Sequence, residues 1–173
     1  MIAAPESPEA SPTSPDVPPH SAVGGGTDTS RPDAPDVCVI LDDVRSLYNV
    51  GAVMRACDGA GIFTVHACGI TPFPPAGLDL RDDPRRGPVA ARAARELRKV
   101  ALSAYDTVRV THWPDASEAI AHVRGYGATV VAVETSPNAV RYRGASVLRV
   151  RPLALVFGHE VDGLSAEVLG MCD

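Results

Sequence analysis

Apolar and polar positions along this chain follow two rhythms, and both begin at Val37. Short apolar or β-branched runs, VCVIL from Val37, IFTVHA from Ile62, the five residues from Thr107, TVVAV from Thr129 and LALVF from Leu153, have strand length. Between them the spacing turns helical. Val50, Val53, Met54 and Cys57 predict a helix over Asn49–Ala60, closed by Gly61. A second helix is predicted from about Val89 to Leu102. A third is expected over Asp115–Tyr126, opened by the capping-box pair Asp115 and Glu118. Ser165 to Met171 forms a last, short helix with Glu167 in its first turn. Strands alternating with helices predict an α/β fold, an open parallel sheet with helices on both faces. TVVAV, apolar throughout, suits a strand covered on both sides.

Residues 1–36 follow neither rhythm. They are rich in Pro, Ser, Ala and Gly, and they are expected to form a disordered acidic tail. Their charge changes the picture of the whole. The net charge is −5, and the tail alone holds six acidic residues against Arg31; positions 37–173 carry 15 of each sign. The domain itself is therefore neutral, and nucleic acid is not excluded as a partner. Gly24 to Gly26 lack the preceding strand and following lysine of a phosphate loop. Cys38, Cys57, Cys68 and Cys172 show no metal-ligand spacing and read as reduced thiols. No apolar run reaches the roughly 20 residues of a membrane span, and no secretory pattern opens the chain. A cytoplasmic protein without membrane or metal is expected.

Candidate chemistry concentrates at two places. The stretch LALVFGHEVDGLSAEVLGMCD joins a strand, a glycine-punctuated loop and a helix, the place where open α/β sheets bind ligands. His159-Glu160 begins like a zinc-binding H-E-x-x-H, but the fifth residue is Gly163. Ser165 is no nucleophile elbow and suits a helix cap. The second place is Arg81, Arg85, Arg86, Arg92, Arg95, Arg98 and Lys99. These form either a phosphate-contacting face or a solvated one paired with Asp82, Asp83 and Glu96. Arg141, Arg143, Arg149 and Arg151 pose the same choice. Trp113 suits a core or staple position better than a base-stacking one.

F-G-x-E-x-x-G-L-S over Phe157–Ser165 resembles the second motif of the SpoU (TrmH-type) RNA ribose methyltransferases, within the knotted SPOUT superfamily. LDDVRSLYNVGAVMRACDGAGI resembles their first motif, with Asn49, Arg55 and Gly61 in place. ITPFPP and the stretch from Lys99 to Val108 resemble the connecting region. The resemblance implies S-adenosylmethionine-dependent methyl transfer to a ribose 2′-hydroxyl of tRNA or rRNA, in a homodimer. Asn49, Arg55 and Glu160 would be catalytic, with Glu160 holding Arg55 or a substrate hydroxyl. Val133, Glu134, Thr135, Phe157, Gly158, Glu160, Gly163 and Leu164 would line the cofactor, with Gly158 and Gly163 letting the backbone approach it. Arg45, Arg55, Arg85, Arg86 and Arg92 would meet RNA. A guanidinium stays protonated, so Arg55 as a base would need a neighbouring phosphate; binding phosphate and stabilising the developing alkoxide suits it better.

The family continues into a third motif, threaded to form a trefoil knot. The sequence stops at Asp173, so residues 37–173 are expected to be a C-terminally incomplete SpoU-like domain without the knot segment. A non-catalytic RNA-binding or dimerisation module is therefore the competing expectation. A Rossmann dehydrogenase fits poorly, because the turn after Leu41 lacks G-x-G-x-x-G. By itself, Asn49 also fits a plain helix N-cap and Arg55 a solvated helical position.

Overall fold

The computed structural model describes residues 34–75, 85, 87–137 and 139–173. Its elements in order are β1 (Val37–Asp42), α1 (Leu47–Gly59), β2 (Thr64–Cys68), α2 (Gly87–Ala101), α3 (Ala104–Thr107), β3 (Arg109–Trp113), α4 (Ala116–Gly125), β4 (Thr129–Ala132), β5 (Leu153–Phe157) and α5 (Ala166–Gly170). A 3-10 turn, Ser146–Arg149, interrupts the crossover from β4 to β5. The strands form one parallel sheet in the order β3-β2-β1-β5-β4. The open parallel α/β architecture is the expected one.

Alternation along the central strands explains the two layers. Cys38 and Ile40 of β1, with Ala154 and Val156 of β5, face Ala119, Ile120 and Val123 of α4 and Val168 of α5. Val39 and Leu41 face the other way, toward Val50 and Met54 of α1 and Leu97 and Ala101 of α2. Successive strand side chains point to opposite faces, so a sheet covered on both sides needs apolar residues at every position. Ile40, Leu41, Met54, Leu97 and Ile120 are fully buried, each contributing about 1.5–3 kcal/mol.

Several boundaries differ from expectation: β2 starts at Thr64 and not Ile62, α2 at Gly87 and not Val89, and two further shifts have an identifiable cause. α1 begins at Leu47, not Asn49, because Ser46 is its cap; the Ser46 hydroxyl accepts the Asn49 amide at 3.3 Å. β3 runs over Arg109–Trp113 and not from Thr107, because the short α3 takes up Thr107. Trp113 is a half-buried core neighbour, donating to His66 Nδ1 at 2.9 Å. On the outer edge of β4, the Asp173 amide donates to the Val130 carbonyl (2.8 Å) and its carboxylate accepts the Val130 amide (2.9 Å). Among the described residues no helix is long and apolar enough to cross a membrane, and no cluster of His, Cys, Asp and Glu could hold a metal.

Candidate active site

β1 and β5 are neighbours at the middle of the sheet, and the chain leaves them toward opposite faces. β1 leads into α1, packed on one face, and β5 into α5, packed on the other. Divergence of this kind opens a crevice at the carboxyl ends of the strands. Glu160, in the loop after β5, spans it. Its carboxylate accepts the amides of Arg45 (3.1 Å) and Ser46 (3.0 Å) and the Asn49 side-chain NH₂ (2.9 Å). A helix N-terminus offers unpaired N–H groups and a partial positive charge. Glu160 answers both, from more than a hundred residues away in sequence.

Partial burial works against the Glu160 charge. The amides of Ser46, of Glu160 itself and of Arg45, together with Asn49, outweigh it and hold the carboxyl at about 2. So weak a base is ionised at neutral pH and does not collect protons there. Glu160 therefore anchors the start of α1 and orients Asn49. Only the NH₂ end of an amide can donate to a carboxylate, so the Asn49 orientation is determined and its Oδ1 remains an acceptor.

Arg55 is not held by Glu160. It lies farther along α1, exposed, and donates to the carbonyl of Val100 in the last turn of α2 at 3.0 Å. A cation at a helix C-terminus satisfies an orphan carbonyl and suits the dipole. Gly51, one turn earlier on the same face of α1, admits the Val100 side chain; a Cβ there would collide with it. Gly51 and Arg55 thus seat α2 on α1 through one residue. The single bond to Val100 leaves the other N–H groups of the guanidinium for a second partner.

A second cluster of predicted residues closes beside the crevice, at the ends of β4 and β5. The Val133 amide continues the ladder to the Val156 carbonyl at 2.8 Å. Glu134 then accepts the amides of Thr135 (2.8 Å) and Leu164 (3.0 Å); these bonds, the Thr135 amide first, hold its carboxyl below the usual range. Gly163 has φ +69°, and a Cβ on it would meet the Glu134 carboxylate. A Cβ on Gly158 would lie 2.5–2.6 Å from the backbone of Gly163 and Leu164. Both glycines are thus required by the packing of this loop on itself and on Glu134. Phe157 ends β5 opposite Leu41 and packs on the α1 side of the core. Leu164 is buried, whereas Val133 is 42% exposed and Val161 85%. His159 Nδ1 accepts the amides of Val161 and Asp162, both at 3.2 Å, which rounds off the turn.

The basic residues divide. Arg95 and Lys99 pair with Glu96, and Arg98 pairs with Asp106, as a solvated face does. Arg45 contributes its amide to Glu160 and is exposed. Arg92 lines two adjoining cavities, of about 610 and 540 Å³, that meet at Leu47. Arg85 lies 3.7 Å above the Phe73 ring and donates to the Phe73 carbonyl at 2.9 Å. Arg81, Arg86, Asp82 and Asp83 lie outside the described residues.

Sequence reasoning missed three participants. Ser46 lies three residues before the predicted start of the helix, and its type was the available signal. Thr71, 1% exposed, donates from Oγ1 to the Leu41 carbonyl and accepts the Val44 amide, both at 3.0 Å, and so fixes the exit from β1. Phe73 stacks on His112, with ring centroids 4.1 Å apart. The latter two sit in a Pro-rich connection that shows no periodicity.

The fold defines an open-sheet α/β protein whose candidate site lies at the divergence of β1 and β5. Known proteins narrow this further. The SpoU rRNA Methylase family model matches residues 87–173, and the chain belongs to that family. The matched region carries Glu134 and the loop around Glu160, and begins after Asn49 and Arg55. The tRNA (guanosine(18)-2′-O)-methyltransferase of Escherichia coli (strain K12) is 29% identical over 139 residues, 80% of this chain and 51% of that protein. The enzyme of the same name from Thermus thermophilus is 27% identical, over 80% of this chain and 60% of its own length. The chain thus spans about half the length of the Escherichia coli relative. Among solved structures, an RNA 2′-O ribose methyltransferase aligns with a TM-score of 0.60 at 22% identity, covering 90% of this chain and 50% of its own. An AdoMet-bound rRNA methyltransferase from Sinorhizobium meliloti aligns with 0.59 at 23%, covering 82% and 46%. Both likenesses establish a shared fold.

Proposed function

We propose that this chain forms the catalytic core of a cytoplasmic, homodimeric methyltransferase that transfers a methyl group from S-adenosylmethionine to a ribose 2′-hydroxyl of tRNA or rRNA. The observation that carries the reading is the Glu160 clamp. It joins Asn49 of the first motif to the second motif across the crevice where such sheets bind ligands. In this reading residues 37–173 are the domain that carries the activity.

The residues at the ends of β4 and β5 suit the cofactor. Val133 offers an exposed apolar face beside a glycine-rich backbone turn whose shape Glu134 maintains. Val133, Glu134, Thr135, Gly158, Gly163 and Leu164 would hold its adenosine side, with Phe157 supporting the loop from the core. The cofactor supplies a methyl group already activated on a sulfonium, so the transfer needs no metal. The protein's task is alignment, which is worth several kcal/mol, and management of the hydroxyl proton. Asn49 Oδ1 accepts a hydrogen bond from the ribose hydroxyl. The proton that hydroxyl loses as the O–CH₃ bond forms and the S–CH₃ bond breaks passes to the neighbouring RNA phosphate or to water. Arg55, protonated throughout, binds phosphate and stabilises the alkoxide as it develops. Glu160 acts through Asn49 as a positioning residue. Arg45, Arg85, Arg86 and Arg92 supply further phosphate contacts.

One observation favours a second reading, a non-catalytic RNA-binding module. Arg55 caps α2 and Glu160 caps α1, so both have structural duties that an inert chain would retain. Titration calorimetry with S-adenosylmethionine, beside tritiated methyl transfer to unmodified tRNA and rRNA transcripts, separates the two. The catalytic reading expects micromolar binding and label at an alkali-resistant linkage. Arg55→Ala should abolish transfer while cofactor affinity stays within about threefold. Transfer by Arg55→Ala at the original rate would refute its role, and RNA binding in a chain that neither binds the cofactor nor transfers a methyl group would favour the module.

A further inference from the structure

The larger cavity lies beside the Glu160 clamp and, apart from Leu47, is lined by residues outside both predicted motifs. It is bounded by the turn after β2, by β3 and by the outer face of α2, and its volume is about 610 Å³. Its floor is a three-layer stack. The His112 ring lies under Phe73, at 4.1 Å between centroids and 21° between planes, and the Arg85 guanidinium lies over Phe73 at 3.7 Å. Hydrogen bonds hold both ends: His112 Nε2 lies 3.0 Å from the Gly69 carbonyl, and Arg85 donates to the Phe73 carbonyl. Phe73 is 6% exposed, so the stack is built into the fold.

The walls are unusual for a surface facing water. Ile70 is 64% exposed and Val89 54%, and both line the cavity with Leu47. Arg85 and Arg92 are its charged residues, and among the described residues no Asp or Glu lines it. An apolar slot floored by a guanidinium plane, with Arg92 at its edge, is complementary to a flat aromatic group carried on a phosphate backbone. Arginine planes and apolar side chains receive unstacked bases in this way. Leu47 connects the cavity to the site: Ser46, its neighbour, is bound by Glu160, and Leu47 also lines the adjoining cavity with exposed Tyr48, with Arg92, and with Arg95 and Lys99, both paired with Glu96. A strand of RNA leaving Arg92 along this face would reach the crevice.

We infer that this cavity holds one unstacked nucleobase of the RNA substrate, seated between Ile70 and Val89 over the Arg85 layer of the stack, while its ribose or a neighbouring one lies at Asn49. The inference rests on the reading of the chain as an RNA-binding methyltransferase. It identifies Ile70 and Arg85 as positioning residues for the bound RNA, outside the chemistry.

The test is a binding measurement, separate from methyl transfer. A fluorescein-labelled nine-nucleotide single-stranded RNA is titrated with the full chain, alongside an RNA of equal length and charge whose central nucleotides are abasic. The intact RNA should bind at least tenfold more tightly. Ile70→Ser and Arg85→Gln, one exposed and one on the rim, should each reduce that ratio toward one, with cofactor affinity and the circular dichroism spectrum unchanged. A wild-type ratio near one would overturn the inference, as would an undiminished ratio in both variants or failure to bind either RNA. Base-dependent binding that both variants lose, in a chain that transfers no methyl group, would sustain the cavity assignment while the catalytic reading fell. Undiminished methyl transfer and base discrimination in both variants would do the reverse.

Discussion

His66 makes the stability of this chain acid-sensitive well above the carboxylate range. The residue is 3% exposed on β2, between Trp113 of β3 and His122 of α4. Trp113 Nε1 donates to His66 Nδ1 at 2.9 Å, so the neutral ring carries its proton on Nε2, and that atom is buried without a hydrogen-bond partner. A second proton would have to displace the Trp113 bond inside an apolar layer. Burial first, and then the neighbouring His122, lower the pKa from 6.5 to about 4. Between those values the unfolded chain binds a proton that the folded chain refuses, so stability falls as pH falls. From pH 7.5 to pH 5 the loss is about 2 kcal/mol by linkage, a considerable part of a typical 5–15 kcal/mol. With a urea dependence of roughly 1–3 kcal/mol/M, the midpoint should move by about 1 M.

The measurement is favourable because the chain has one tryptophan, Trp113, in contact with the titrating ring. Urea unfolding followed by its emission at pH 7.5 and pH 5 gives both midpoints. The carboxylates lowered by hydrogen bonds, Glu160, Glu134 and Asp173, lose their contribution only below their unfolded values near 4.5 and 3.8. Asp42, raised by burial and then by Asp43 and Asp115, acts with the opposite sign, and would only reduce the slope. His66→Gln keeps an acceptor for Trp113 and cannot titrate. Its midpoint should be the same at the two pH values whatever its absolute stability. An equal slope in wild type and variant would refute the assignment to His66.

Gly158→Ala forces a methyl group into the Gly163 backbone; thermal unfolding should show a loss of about 1–3 kcal/mol, and S-adenosylmethionine binding should disappear with the loop shape. Ser46→Ala removes the cap of α1 and should cost about 1 kcal/mol in urea titration; an unchanged midpoint would show that Glu160 alone secures that end. Glu160→Gln leaves one carbonyl where two carboxylate oxygens met three donors. It should lower kcat for methyl transfer more than it raises KM for RNA, whereas a purely structural role would lower Tm with kcat intact.

How much of this was legible beforehand depended on whether the signal was local. β5 was predicted to the residue, because LALVF is bounded by Pro152 and Gly158, and α4 to within one residue at each end, because Asp115 caps it. The start of α1 was misplaced because Ser46 and Asn49, three residues apart, are both good cap residues. Which one caps is decided by Glu160, whose carboxylate draws the Asn49 side chain away from its own helix. No window of sequence contains that pair. The His112–Phe73–Arg85 stack escaped for the same reason: three residues from three segments, none in a periodic run, meet only once β2 and β3 are in register.

The roles of the motif residues follow from the same distinction between local and distant partners. A motif match lists residue types and is silent on what each already holds. Asn49 and Glu160 satisfy one another and the first turn of α1, so the charge of Glu160 is spent on orientation and its depressed pKa rules it out as a neutral-pH proton acceptor. Arg55 is tethered to Val100, which ties the position of its guanidinium to the packing of α2 through Gly51. A helix bearing Arg92 thus controls where Arg55 sits. RNA engaging α2 would act on Arg55 through that carbonyl, and the surface that reads the substrate would be mechanically continuous with the group proposed to stabilise the reacting oxygen.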